Sequence, residues 1–394
     1  MNIVFLAPFG IRPKGTVIAR MLPLAAALQE RGHRVMIVAP PYTNPEDAGR
    51  DEVLRGVLLR NVRLGPGGRA LSAPAVAWRM YCAAMAEKPD LVHLFKPKGY
   101  GGLAALLIKL LQRKLPLFVD TDDWEGEGGM NERHGYSSLE KRFYAWQENY
   151  LLAQADGVIA ASKALELLVH RIGVPAERLL YLPNCVDPLP VSDGRAARHS
   201  LGLADEIPVV LLYTRFFEFD QTLLYELFGE IVKRSSTCRL LVVGRGANGE
   251  EQELQRAARS MGFADRLIMA GWVNAPQVPE LLAASDVAIY PFRDDLVNRT
   301  KCPAKLTELM LAELAVVADS VGQLAEYIQN GESGILCSPG DWRDMADQVI
   351  SLLENAERRR TLGAAARRRV LNDFPWSAAA ARLECFYMNA QKRT

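Results

Sequence analysis

Residues 298–336, NRTKCPAKLTELMLAELAVVADSVGQLAEYIQNGESGIL, decide the fold. Asn298 to Cys302 reads as a loop, and a helix opens with Pro303 at its first position. Val316 to Asp319 reads as a buried strand, a second helix starts at Gly322, and another strand lies near Ile335. Proline costs nothing at the first helical position, because its missing N–H would be unpaired there. The free amides of Ala304 and Lys305 are therefore expected to face outward as an anion site. Arg299, Lys301 and Lys305 gather at that end against the helix dipole, a conflict that a bound anion resolves. Glu308 follows one turn later, within reach of a sugar diol, the role an acidic residue plays in dinucleotide sites. An anion beside a ribose implies a nucleotide.

Outward from this stretch the same alternation runs along the chain. Ile3 to Pro8 is an apolar strand, FGIRPKGT a loop, Val17 to Arg31 a helix stopped by Gly32, and Arg34 to Ala39 the next strand. Further strands are expected at Asp90 to Leu94, Leu117 to Thr121, Gly157 to Ala160 and Leu179 to Leu182. Continuous apolar strands separated by amphipathic helices predict a parallel sheet covered on both faces. The segment NCVDPLPVSDGRAARHSLGLADEIP then interrupts the pattern and reads as a hinge. The count restarts with strands at Val209 to Tyr213, Arg239 to Val243, Leu267 to Gly271, Val287 to Pro291 and Val316 to Ala318. An eight-fold barrel also alternates, but the mid-chain break and two separate strand-to-Gly-loop openings favour two open sheets. The predicted fold class is α/β, two Rossmann-like doubly wound parallel-sheet domains. Expected boundaries are 1–190, 203–374 and a last helix, 375–394, that restarts at Pro375.

Composition narrows the function. The 394 residues are 49% hydrophobic and 24% charged with net charge +1, which argues against nucleic acid as a partner. Six scattered cysteines show no metal or redox spacing, so a reducing, cytoplasmic setting is expected. MNIVFLAPFG lacks a cationic flank and reads as a first strand rather than a signal peptide. No apolar run reaches transmembrane length, so any membrane contact is expected to be peripheral, at the inner face.

The segments ERGHRVMIV, ELLAASDVAIYP, the block around Glu308, VGQLAEYIQNGESGIL and the FPWS helix together cover nearly the whole chain. Taken together they resemble the retaining glycosyltransferases of family 4, glycosyl transferases group 1, with the GT-B fold. The resemblance implies two Rossmann-like domains facing a cleft, the second holding a nucleotide diphosphate sugar, UDP- or GDP-linked. It implies an acceptor (a glycan, lipid or small metabolite) on the first, and a final helix crossing back to that domain. No cofactor and no metal are implied.

By that resemblance Glu308 is the second glutamate of a paired motif and serves the donor ribose, while the first falls on Thr300. A glycine and a proline expected after the helix are Glu313 and Ala315. Arg215 matches an arginine that clamps the diphosphate. The lysine expected five residues on is Asp220, and Lys301 or Lys305 is the candidate replacement. Asp122 in VDTDDWEGEGG aligns with a polar position near the anomeric carbon, where it would orient the acceptor or move a proton; the alternative is that Asp122 or Asp123 caps a turn. Gly15 and Thr16 of the Gly10 to Thr16 loop, Gly244 of GRGANG, and Trp272 and Val273 are further donor-binding candidates.

Other features have blander readings. Asp120 and Asp122 form an Asp-x-Asp pair of the metal-binding type. His93 reads as a structural histidine, and Lys96 and Lys98 either meet an anionic acceptor or lie on a solvated loop. Arg358 to Arg360 and Arg367 to Arg369 read as a solvated face, with anionic lipid as the alternative. Two other classes stay open: a nucleotide-sugar-binding subunit without turnover, and a sugar-nucleotide epimerase.

Overall fold

The computed structural model describes residues 1–12, 15–65 and 69–392. It divides into two compact units, Met1–Cys185 with Thr300–Cys302 and Phe374–Thr394, and Val186–Arg299 with Pro303–Asp373.

The first unit is built on an eight-stranded sheet: β1 Asn2–Leu6, β2 Arg34–Ala39, β3 Asp51–Leu54, β4 Val57–Asn61, β5 Leu91–Phe95, β6 Leu117–Thr121, β7 Gly157–Ala160 and β8 Leu179–Tyr181. Its order is β3-β4-β2-β1-β5-β6-β7-β8, parallel throughout except for β3. Strands β5, β6 and β7 are buried along their whole length, as both faces of a covered parallel sheet must be. The β3–β4 hairpin was absent from the sequence reading. Its turn residues Arg55 and Gly56 both have positive φ, 50° and 78°, the geometry of a tight two-residue hairpin turn. The expected Val17 to Arg31 helix begins as a wider turn, Val17–Met21, and becomes α-helical over Leu22–Glu30. The last helix, Trp376–Gln391, lies on Leu22–Glu30. Trp376, Leu383 and Tyr387 sit in one core with Leu24, Leu28 and Phe118.

The second unit has a six-stranded, all-parallel sheet: β9 Val209–Thr214, β10 Arg239–Gly244, β11 Leu267–Gly271, β12 Val287–Tyr290, β13 Ala315–Asp319 and β14 Ile335–Cys337, in the order β11-β10-β9-β12-β13-β14. The strand order reverses between β9 and β12, and in the first sheet between β1 and β5. In such sheets ligands collect outside the carboxyl ends of the strands at that reversal. The expected hinge, 184–208, carries a helix, Arg195–Ser200. Its Arg198 bonds the carbonyls of Ala204, Asp205 and Ile207 and the carboxylate of Asp286, so this stretch is tied to the second unit.

The segment 298–336 departs locally from expectation. Residues Leu296–Thr300 form a short helix and not a loop. Pro303 is the N-cap of the helix Ala304–Leu311 and not its first residue. Only Leu324–Tyr327 is helical after Gly322. Glu313 adopts φ 60°, a left-handed conformation in the turn where the resemblance places glycine.

Candidate functional site

In the second unit the site begins with the helix Ala304–Leu311. Leu306, Leu309 and Met310 are buried against the sheet, which leaves Lys305 and Glu308, three residues apart, on one outward face. Arg367 caps the far end of this helix by donating to the carbonyl of Leu311 at 2.5 Å. Two other arginines of the helix Ala356–Asp373 do the same: Arg369 bonds the carbonyls of Glu326 and Tyr327, and Arg359 those of Leu352 and Leu353. The basic run therefore includes three arginines that satisfy orphan carbonyls at helix ends. Arg358, Arg360 and Arg368 are exposed, so the rest of the run is the solvated face expected.

The Lys305 and Glu308 face meets the end of β9. Lys305 Nζ lies 4.3 Å from the centre of the Tyr213 ring, a cation–π contact. Burial holds the Tyr213 phenol well above its ordinary pKa, and Glu308 adds to the rise as a neighbouring charge and hydrogen-bond acceptor. Tyr213 is thus a permanent donor that fixes the Glu308 carboxylate. Tyr290, at the end of β12, is raised too, by burial and then by Glu218 and Glu308; Arg215 opposes the rise at both tyrosines. Glu308, Arg215 and Lys305 therefore converge where the strand order reverses. Tyr213, Tyr290 and Glu218 were missed in the sequence. The available signal was a tyrosine near the end of each of two strands that prove adjacent.

The Arg215 loop is held firmly. Phe216 is buried with φ 69°, and its N–H donates to Thr214 Oγ1 at 2.7 Å. Asn298 Nδ2 donates to the carbonyl of Glu218 at 2.6 Å. Strained non-glycine backbone kept by surrounding bonds is common at ligand loops. Asp220 is the N-cap of Gln221–Arg234 and accepts from the Thr222 N–H at 2.8 Å. The carboxylate in place of a lysine thus has a structural task. Gly244 ends β10 with φ 135°, and a Cβ there would lie 1.8 Å from the Thr214 carbonyl oxygen. Only glycine permits that approach to the strand bearing the site. Trp272 is exposed and Val273 partly so, both after the edge strand β11. Arg299 is drawn to Asp294, with bonds of 2.5 and 2.8 Å.

Thr300, Lys301 and Cys302 are grouped with the first unit. Thr300 is buried, and its carbonyl accepts from Ser162 Oγ at 2.7 Å. In the same unit Thr16 donates from Oγ1 to Asp122 Oδ2 at 2.8 Å. Gly15 accepts from the Ala19 N–H and opens the helical segment; Pro13 and Lys14 of that loop lie outside the described residues. Lys96, with φ 52°, is buried and faces Asp122 at 3.0 Å, Asp123, and Glu125 at 3.4 Å. Lys98 bonds Glu125 at 2.5 Å and Asn131 at 3.2 Å. Neither lysine lies on a solvated loop. Burial alone would raise Asp122, but Lys96 and Arg20 hold it below the ordinary carboxylate range. It is an ionised acceptor suited to orienting a hydroxyl and too weak a base to favour proton removal. Asp120 pairs with Arg20, so the Asp-x-Asp carboxylates point to two cations. His93 is fully buried, its Nδ1 2.5 Å from the Tyr387 hydroxyl.

Glu148 lies behind this cluster, where burial and then Glu125 push its pKa up to about 8 from an ordinary value near 4.5. The native state keeps the extra proton across that window. Its contribution is full below pH 4.5 and is lost as pH rises toward 8. Glu148→Gln mimics the neutral form, so the Tm difference, variant minus wild type, should grow from pH 5 to pH 8. A flat difference in thermal melts would contradict a buried neutral Glu148.

Two family models match this chain: a glycosyl transferase 4-like domain over residues 15–185 and glycosyl transferases group 1 over residues 208–355. N-acetyl-alpha-D-glucosaminyl L-malate synthase from Bacillus anthracis is 26% identical over 239 residues, 60% of each protein. The chain thus spans less than two thirds of that relative's length. Sucrose-phosphate synthase from Thermosynechococcus elongatus superposes with a TM-score of 0.78 at 20% identity, covering 100% of both chains. Anabaena HepE, solved with UDP and glucose, gives 0.75 at 20% identity over 98% of this chain and 99% of its own. At these identities the superpositions establish the GT-B fold.

Proposed function

The chain belongs to the family 4 glycosyltransferases, and from that premise we propose that it moves a sugar from a UDP- or GDP-linked donor to a glycan, lipid or small-molecule acceptor, with retention of anomeric configuration. The observation that carries this reading is the convergence of Glu308, Tyr213, Arg215 and Lys305 at the strand-order reversal of the second sheet. Glu308, held by the Tyr213 hydroxyl, accepts from the ribose diol. Arg215 and Lys305 take the diphosphate. As the glycosidic bond breaks, negative charge grows on that leaving group, and fixed cations stabilise it more than they stabilise the bound donor. A guanidinium suits the task because it bonds two phosphate oxygens at once. Lys305 supplies the second cation that Asp220, occupied as a helix cap, does not. Asp122 orients the acceptor hydroxyl.

Glu308→Gln tests the ribose assignment. Loss of a hydrogen bond to a charged acceptor costs about 1.5–3 kcal/mol, so calorimetry should show about 10- to 100-fold weaker donor binding with the thermal melt retained. Unchanged affinity would remove Glu308 from the site. Slow donor hydrolysis without acceptor marks the enzyme. Tight binding with neither hydrolysis nor transfer across many acceptors would make the chain a binding subunit, and an isomerised donor an epimerase.

A further inference from the structure

The helix Ser138–Gln154 of the first unit buries Gln147, Glu148, Leu151 and Leu152 and leaves an apolar stripe outside. Leu139 is 76% exposed, Phe143 39%, Trp146 49% and Tyr150 41%. Steps of four, three and four residues place these side chains on one face. Phe143 and Trp146 have ring centres 5.7 Å apart, and Trp146 stacks on Tyr150 at 5.5 Å with planes 20° apart. The row of rings continues through Tyr144 to Tyr136, which lies beneath Lys98. It therefore runs from the polar cluster around Asp122 out across the helix surface. Contiguous exposed apolar surface of this kind marks an interaction site.

Charge identifies the partner. The helix lies beside Gly99–Leu111, which lies beside Arg69–Ala86. The stretches 69–86, 99–114 and 138–154 hold seven Lys or Arg against two Asp or Glu; Lys109 and Lys141 are paired with Asp156 and Glu132 just outside them, which leaves a net +3 in a chain of net +1. One of the two acids, Glu148, is buried. The same layer exposes Trp78, Leu110 and Leu111. A second copy pairing through this face would set cations against cations, whereas Trp, Tyr, Phe and Leu flanked by Arg and Lys suit the headgroup region of a lipid leaflet. No helix among the described residues is long and apolar enough to cross a membrane, so contact would be interfacial.

We propose that this helix layer docks the first unit on an anionic bilayer surface, with the Phe143, Trp146 and Tyr150 stripe among the headgroups and Arg113, Lys114 and Arg142 on lipid phosphates. Lipid binding is read without donor or acceptor, so its failure is distinct from failure of the transfer reading. The test is co-sedimentation of the whole chain with vesicles of phosphatidylcholine alone or mixed with phosphatidylglycerol. Binding is expected only with phosphatidylglycerol and should weaken with salt. It should fall by about tenfold or more in Phe143→Ser/Trp146→Ser/Tyr150→Ser and in Arg113→Glu/Arg142→Glu. Trp146→Phe should bind but lose a blue shift of tryptophan emission seen in the wild type, which keeps the test decisive if the triple variant misfolds. The proposal is overturned if phosphatidylglycerol vesicles are not bound, or if folded stripe variants bind them as wild type does. It is equally overturned if the stripe instead holds a dimer that the triple variant splits while lipid is ignored.

Discussion

Arg215→Ala should lower kcat by about a hundredfold to a thousandfold, the loss seen when one fixed donor to a developing negative charge is removed. Arg215 is exposed, and its loop is held by bonds that do not use its guanidinium: Thr214 to the Phe216 N–H and Asn298 to the Glu218 carbonyl. The substitution should therefore leave the thermal melt near wild type. Because leaving-group charge grows toward the transition state, kcat should fall more than KM rises. Lys305→Ala should follow the same pattern at about tenfold or more, about 1.4 kcal/mol. Asp220→Ala is the control. It removes an N-cap, so about 1 kcal/mol of stability is lost while kcat is retained. Steady-state kinetics on the three variants decides the assignment: turnover preserved in both Arg215→Ala and Lys305→Ala would place the diphosphate elsewhere.

Arg20→Leu should destabilise the first unit by about 3–5 kcal/mol, the cost of leaving a buried charge without its partner. Arg20 and Asp120 are both fully buried. The guanidinium donates Nε to Asp120 Oδ1 at 2.8 Å and a terminal nitrogen to Oδ2 at 2.7 Å, and it reaches the Leu182 carbonyl at 2.8 Å and Asn184 Oδ1 at 3.2 Å. Burial alone would lower the Arg20 pKa, but Asp120 and Asp122 more than offset it, so the cation persists. Replacing both members, Arg20→Leu with Asp120→Leu, should recover part of the loss, because an apolar pair of similar volume leaves no orphaned charge. Urea unfolding measures both. A loss under about 1 kcal/mol in the single variant would show that Asp120, which burial already holds up at about 6, takes up a proton once Arg20 is gone.

The segment 298–336 illustrates how far the sequence reaches. Its apolar periodicity correctly placed a helix and a buried strand, because burial on one helix face and both strand faces is written in residue order. Its ends were misread: residues Leu296–Thr300 are helical, and Pro303 caps where it was expected to lead. Helix ends depend on which neighbour satisfies the last carbonyls. The far end of the helix Ala304–Leu311 shows the same dependence: its Leu311 carbonyl is met by Arg367, more than fifty positions away and read in sequence only as part of a basic run.

By itself the sequence determined two parallel α/β sheets and the family resemblance, from which Glu308 and Arg215 were proposed for the site, since periodicity and local motif are properties of consecutive residues. Only the tertiary structure decided which cations have prior partners. Arg299 is claimed by Asp294, and Lys96 and Lys98 are claimed by the acidic cluster, while Lys305 rests on the Tyr213 ring. It also joined Tyr213 at the end of β9 to Tyr290 at the end of β12, and it left the Leu139 to Tyr150 stripe uncovered. Pairing and exposure follow from strand order and helix packing across scores of residues, and charge and hydropathy along the chain do not contain that distance.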